Sequence, residues 1–416
     1  MNKLLGNIQG WIEGGYAGNH LQFDLSNSAE FAKTYSGREF SVFVAEDGAA
    51  GADAKIGTFN TTNGDFQQFD VEGITLPTFT PDQEFEMRSG TGRVAQLESM
   101  YNNSKGVVTE FTLSGRLDIN TLAILMQNVT ATAVTTNEDA EADAQNVVFI
   151  AGGGAYSPTH LEHGDTVAAD AFNKTLSVYF KAPEEDNSYQ FTGCVCTSLE
   201  ISADMGTASG RFNYSATFQT GYAPTKGSRS MSGHGTIGAN VFMTDLGYRY
   251  MNMINADASG TDYYKMTPIF NSMSFTIESP SVMLGAQGSN NEPQVIARAV
   301  PELNITFGGS LKYDTDTDKL LEAHRDPGQN SYIQFFGATH DNDSSAAIPV
   351  DAVFPQDLAF TDADAHGLGI LFHKAKLISA SVGSGDVATI DFEAKVVDGG
   401  STYEVLQVAV GDTNHS

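Results

Sequence analysis

Apolar and polar residues alternate along Gly193 to Gly221, GCVCTSLEISADMGTASGRFNYSATFQTG, on both sides of a Gly-rich turn. In the second arm Phe212, Tyr214, Ala216 and Phe218 share one face, and Asn213, Ser215 and Thr217 share the other. A period of two predicts a strand pair packed on a core by one face and open to water by the other. Elsewhere most apolar runs last about 4 to 8 residues between clusters of Gly, Asn and Asp, and Thr, Ser, Val and Phe abound, so the fold is predicted to be mainly β. Helical periodicity is scarce. The best case is DINTLAILMQNV (Asp118 to Val129), with Asp118 or Asn120 as N-cap before Leu122, Leu125 and Met126. A second is DTDKLLEAHRD, from Asp316.

The two helix candidates follow similar text. EFTLSGRLDINTL (Glu110 to Leu122) and NITFGGSLKYDTDTDKLL (Asn304 to Leu321) each read as a strand, a Gly, an apolar residue and an acidic helix start. Gly115 matches Gly309 and Leu117 matches Leu311, at an offset of 194 (309 less 115). Upstream, EFEMRSG (Glu84 to Gly90) resembles SFTIESP (Ser274 to Pro280). Downstream, the hairpin has a counterpart in HKAKLISASVGSGDVATIDFEAKVVDGG (His373 to Gly400), where Ile390, Phe392, Ala394 and Val396 alternate at an offset of 178 (390 less 212). An order kept twice predicts a tandem duplication of one β-sandwich or barrel domain, each copy with one short helix and a long hairpin. The domains expected are 1–222 and 262–416, with a linker or arm over 223–261. That arm opens with APTKGSRSMSGHGTIGAN (Ala223 to Asn240), Gly/Ser-rich and basic at Lys226 and Arg229.

Charge narrows the possible partners. The 416 residues carry 51 acidic against 22 basic side chains, a net charge of −29. This argues against stable binding to nucleic-acid phosphates, which needs clustered Lys and Arg, and it favours solubility. The apolar residues of MNKLLGNIQGWIEGGYAG are scattered rather than gathered into a secretory h-region, and no run approaches the roughly 18 apolar residues of a membrane span. The two cysteines, Cys194 and Cys196, stand two apart on one predicted strand, a poor spacing for a disulfide. Synthesis and residence in a reducing cytoplasm is the expectation.

Each motif with chemical potential has a plain reading. DTDTDK (Asp314, Asp316, Asp318) imitates the start of a calcium loop, but Lys319 stands where the loop needs Gly and Arg325 where it needs Glu, so a solvated turn is expected. HLEHGD (His160, His163, Asp165) and DADAH (Asp362, Asp364, His366) lack further ligands in a fixed frame and read as surface loops. Cys194 and Cys196 read as small buried apolar side chains. No nucleophile elbow, phosphate loop or dinucleotide fingerprint occurs, so neither catalysis, a cofactor nor a metal is expected.

The order of a Gly-Cys strand, SLEISADMG and the alternating GRFNYSATFQTG is similar to tail tube proteins of tailed bacteriophages, especially long flexible-tailed ones. MTPIFNSMSFTIESP, ELNITFGGSLKYD and ATIDFEAKVVDGG resemble the second domain of tube proteins that carry two tube domains per chain. The resemblance implies a structural virion protein, assembled in the host cytoplasm. Its hairpins would build the inner barrel of trimeric pseudo-sixfold, or hexameric, rings stacked into a hollow tube. The implied partners are further copies of itself, the tape measure, terminator and distal tail proteins, and double-stranded DNA in transit without specific binding; no membrane is implied. Glu200, Ser202, Asp204, Asn213, Ser215, Thr217, Asp391, Glu393 and Lys395 would face the lumen, and Lys226 and Arg229 would sit on an arm reaching a neighbouring subunit. The acidic run NEDAEAD (Asn137 to Asp143) reads as a solvated loop or as a dock for that arm. Glu138 to Asp143 and Asp341 to Ala363 have no counterpart in the family pattern. The alternatives are a terminator ring, the inner tube of a contractile machine, or a sugar-binding or adhesive β-sandwich, against which the single Trp weighs.

Overall fold

The alternating segments of the sequence are strands in the structure, a computed structural model that describes most of residues 39–72, 109–130, 175–254, 264–286, 293–325, 332–338, 367–397 and 405–411, with short strands between them. In chain order the main elements are β1 (Ser41–Glu46), β2 (Gln67–Phe69), β3 (Thr109–Arg116), α1 (Ile119–Thr130), β4 (Leu176–Lys181), β5 (Tyr189–Asp204), β6 (Asn213–Thr220) and β7 (Tyr248–Ile254). Then follow β8 (Phe270–Glu278), β9 (Asn304–Lys312), α2 (Asp318–Arg325), β10 (Tyr332–Ala338), β11 (Gly367–Gly383), β12 (Thr389–Val396) and β13 (Leu406–Gly411). Most of these strands join one large antiparallel sheet that does not close on itself. No helix among the described residues is long and apolar enough to cross a membrane.

Both helices begin on an aspartate. One Asp118 carboxylate oxygen accepts the N–H groups of Asn120 and Thr121 at 3.1 Å, and the other accepts the Thr121 hydroxyl at 2.5 Å, which satisfies donors that the first turn of α1 leaves orphaned. Leu122, Leu125, Met126 and Val129 then fall on one buried stripe. Before α2, Asp314 accepts the N–H groups of Asp316 and Thr317 at 3.1 Å. Hydrogen bonding to the Thr317 N–H, the largest cause, holds the Asp314 carboxyl below its usual range. This is the solvated turn that DTDTDK suggested.

The two halves of the chain run through the same strand order. One is β1–β4–β5–β6–β3, the other β7–β10–β11–β12–β9. The register agrees as well: Gly115 stands opposite Tyr214, and Gly309 opposite Phe392, which are the positions matched by the offsets of 194 and 178. Each glycine leaves room for a crossing backbone. A Cβ on Gly115 would fall 1.8 Å from the Asp70 carbonyl oxygen, and one on Gly309 2.3 Å from that of Ser272.

The halves are joined rather than separate. Strand β8 pairs with β5 over Ser198–Asp204 by one edge and with β9 by the other, so β3–β6–β5–β8–β9–β12–β11 is an unbroken run. One core underlies it, from Phe111, Phe180, Phe191 and Phe218 through Leu199, Ile201, Phe275 and Ile277 to Phe307, Phe335, Phe372 and Phe392. Each such side chain contributes about 1.5–3 kcal/mol on burial. Residues 37–416 accordingly form one compact unit, not two bodies on a flexible link, and the expected linker already contains β7. The match of Glu84–Gly90 to Ser274–Pro280 also shifts. Asp82–Phe85 pairs with Met100–Asn103 in a separate small sheet, residues 86–90 lie outside the described residues, and the place of Ser272–Ser274 is held in the first half by Asp70–Glu72, whose Glu72 N–H donates to the Ser114 carbonyl at 3.1 Å.

Because both glycines sit under a backbone carbonyl, Gly115→Ala and Gly309→Ala should each destabilise the fold by about 2 kcal/mol or more, through strain of the kind that marks the large mutational effects. Thermal unfolding of the two variants measures this. Unchanged melting temperatures would show that the carbonyls are not so placed.

Candidate functional site

The run from β3 to β11 has an apolar side on the core and a polar side away from it. Cross-strand register puts Arg116, Asn213, Ser202, Ser274, Gly308, Glu393 and Ser379 in one row, and Ser114, Ser215, Glu200, Thr276, Thr306, Lys395 and Lys376 in the next. Thr112, Thr217, Ser198, Glu278 and Asn304 make a third row, and Asp204, Ser272, Ser310, Asp391 and Ser381 a fourth. Every residue expected in a lumen therefore lies on one face of one sheet, although the residues come from both halves of the chain. Side chains along the rows bond to one another: the Thr112 and Thr217 hydroxyls are 3.1 Å apart, and the Asn304 amide donates to Glu278 at 2.9 Å. Such cross-strand pairs contribute a few tenths to about 1 kcal/mol each.

Acidic groups narrowly outnumber basic ones on this face. Glu110, Glu200, Asp204, Glu278, Asp391 and Glu393 oppose Arg116, Lys312, Lys374, Lys376 and Lys395. Arg116 is already paired with Glu72 at 3.2 Å and Asp70 at 3.8 Å, which leaves the cations weaker still. The face offers hydroxyls, amides, carboxylates and ammonium groups in ordered rows, a hydrated surface of mixed charge.

The basic arm is placed differently from expectation. Thr225–Lys226 pairs with Tyr189–Gln190 at the start of β5, and the Lys226 ammonium lies 5.4 Å over the Tyr189 ring. Arg229 is held between Phe59 and Phe66, at 5.5 and 5.3 Å from their centroids, and it donates to Asn63 Oδ1 at 2.7 Å and to the Asn60 carbonyl. Further on, Gly235 and the β2 region exchange hydrogen bonds at 2.8 and 3.0 Å. The segment is thus a strap seated on its own chain, where Lys226 and Arg229 both touch aromatic rings of the first half. Two aromatic faces and two amide acceptors within one half satisfy the Arg229 guanidinium.

One polar centre carries no sequence signal. Asp47, buried at the end of β1, accepts the Thr175 hydroxyl at 2.5 Å, the Ser177 hydroxyl at 2.6 Å, and the N–H groups of Gly193 at 2.9 Å and Gly57 at 3.1 Å. Burial raises its carboxyl pKa, and these donors pull the other way. Cys194 and Cys196 lie nearby on β5, both buried and reduced, as small core side chains. Burial first, and then the Asp47 charge, pushes the Cys194 thiol well up, so it is not an activated nucleophile.

Among the described residues no group of three His, Cys, Asp or Glu side chains could hold a metal ion. His163, Asp165, Asp362, Asp364, His366, Glu138–Asp143 and Asp341–Ala363 lie outside the described residues, as does the His160 side chain. No protein-family model matches this chain, and no curated protein matches it.

Arg229→Ala should release the strap at a cost of about 1–2 kcal/mol, the range for a desolvated cation–π contact. Limited proteolysis should then cut between residues 224 and 240 faster than in the unaltered protein. Equal cutting rates would mean that Arg229 does not hold the segment.

Proposed function

We propose that this chain is the structural subunit of a bacteriophage tail tube. In this reading the two halves are a tandem duplication of one tube domain, and copies of the chain form trimeric pseudo-sixfold rings that stack into a hollow tube. The observation that carries it is the unbroken sheet through both halves, with an apolar side on one core and a net acidic polar side spanning both hairpins. A sheet of this kind closes into a barrel by adding copies edge to edge, because closure removes unpaired strand edges. The polar rows then line the lumen. Double-stranded DNA carries one negative charge per roughly 1.7 Å of axis, and an acidic, hydroxyl-rich wall lets it pass without gripping it. The partners are further copies of the chain, the tape measure, terminator and distal tail proteins, and DNA in transit; the destination is the virion. The chain's work is mechanical, not catalytic.

Negative-stain microscopy of the purified protein tests this directly. Hollow rings or striated tubes are expected, and compact monomers at every concentration would overturn the reading. The lumen assignment has its own check in the variant carrying Glu200→Lys, Asp204→Lys and Glu393→Lys. Exposed substitutions shift stability by no more than about 0.5 kcal/mol, so assembly should persist. Tubes of the variant should retain short duplex DNA on pelleting, with retention falling steeply as salt rises, while unaltered tubes retain none. Equal retention by both would place these side chains elsewhere.

A further inference from the structure

Strand β11 has an edge that its counterpart lacks. Gly369–Lys376 pairs with β10 and Ala375–Gly383 pairs with β12, but from Leu377 to Gly383 the edge away from β12 has no partner among the described residues. At the equivalent place β5 is fully covered, since β4 takes its first part and β8 takes Ser198–Asp204. Exposure follows from this difference. Ala203, beside β8, is 4% exposed, whereas Val382 is 46% exposed although it stands opposite the buried Ile390. Ile378 on the same margin is 47% exposed. An open strand edge flanked by apolar side chains is a template for another strand.

The complementary edge is on β3. Among the described residues Asp70–Glu72 approaches it, with one backbone bond from Glu72 to Ser114. That stretch occupies the position of Ser272–Ser274 in β8: Asp70 lies over Gly115 as Ser272 lies over Gly309, and Glu72 meets Ser114 as Ser274 meets Gly308. In β8 the same residues pair outward with β5, Ser272 opposite Asp204, Met273 opposite Ala203 and Ser274 opposite Ser202. Register through Tyr214 and Phe392 equates Ser202, Ala203 and Asp204 with Ser381, Val382 and Gly383.

We propose that the open edge of β11 takes the Asp70–Glu72 segment of a second copy, in the register that β8 uses within the chain. Gly383 then stands opposite Asp70, Val382 opposite Val71, and Ser381 opposite Glu72 of the second copy. The contact between halves and the contact between chains are the same joint. It is a heterologous joint, which builds a ring when the rotation closes. The inference rests on the proposed ring for its occupant, while the edge and the register come from the pairings above.

Directly opposed residues of an antiparallel pair have Cβ atoms about 4.5–5.5 Å apart, within a small adjustment of disulfide geometry. Val71→Cys and Val382→Cys chains, mixed in equal amounts and oxidised, can join only between molecules, and the native thiols are buried. Covalent dimers are expected from the mixture, and a ladder of larger multimers from the double variant, with neither single variant cross-linking alone. Val382→Lys, at an exposed site, should block ring formation while leaving the melting temperature unchanged. Rings without cross-links, or rings unaffected by V382K, would overturn the joint, as would a protein that stays monomeric at all concentrations. Cross-linked rings that neither stack nor admit DNA would sink the tube reading and leave the joint standing.

Discussion

Strand β8 is the constraint on which the rest depends. It gives one edge to β5 of the first half and the other to β9 of the second, so the sheets of the two halves join through it. Its inward residues Met273, Phe275 and Ile277 enter the common core, and its outward residues Ser274, Thr276 and Glu278 extend the polar rows. Leaving these backbone groups unpaired and buried would cost the desolvation of each, about 1–3 kcal/mol apiece. Pairing both edges therefore couples the halves far more firmly than a linker would. The strap that follows the first half packs back on that half, across Phe59, Phe66 and Tyr179.

Part of this was legible in the sequence, for local reasons. Period two in Asn213–Thr220 and Thr389–Val396 forecast which residues face water, because a strand alternates faces whatever it pairs with. Asp118 before an apolar stripe marked a helix start, since capping needs only residues a turn away. Gly115 and Gly309 kept their spacing because a close backbone crossing excludes any side chain in both places. What was not legible is long-range. Nothing in SFTIESP tells that its strand reaches back to β5, and Glu84 and Phe85, the described part of its apparent partner, lie in a separate small sheet. Bulges added to the difficulty: β5 shifts register between Cys196 and Ser198, and β11 between Leu377 and Ser379, two residues apart in the aligned frame.

Arg229 and Asp47 illustrate the other limit. A cation in a Gly/Ser-rich stretch reads as exposed, yet Arg229 is clasped by residues 166 and 169 positions upstream in the chain. Asp47 looks like one acidic residue among 51, and only the fold brings Thr175, Ser177, Gly193 and Gly57 around it. Both are consequences of tertiary assembly, and both stabilise the first half around its own hairpin. The polar face is what remains when these needs have been met inside the unit.

The claim that one sheet runs unbroken through both halves is tested most directly by native-state hydrogen exchange of the backbone amides. If β8 is the shared strand, its amides belong to the slowest class and open together with those of β5 and β9, at the free energy of global unfolding. Amides of β8 that exchange by a separate opening of lower free energy, while β5 and β9 stay protected, would contradict the account.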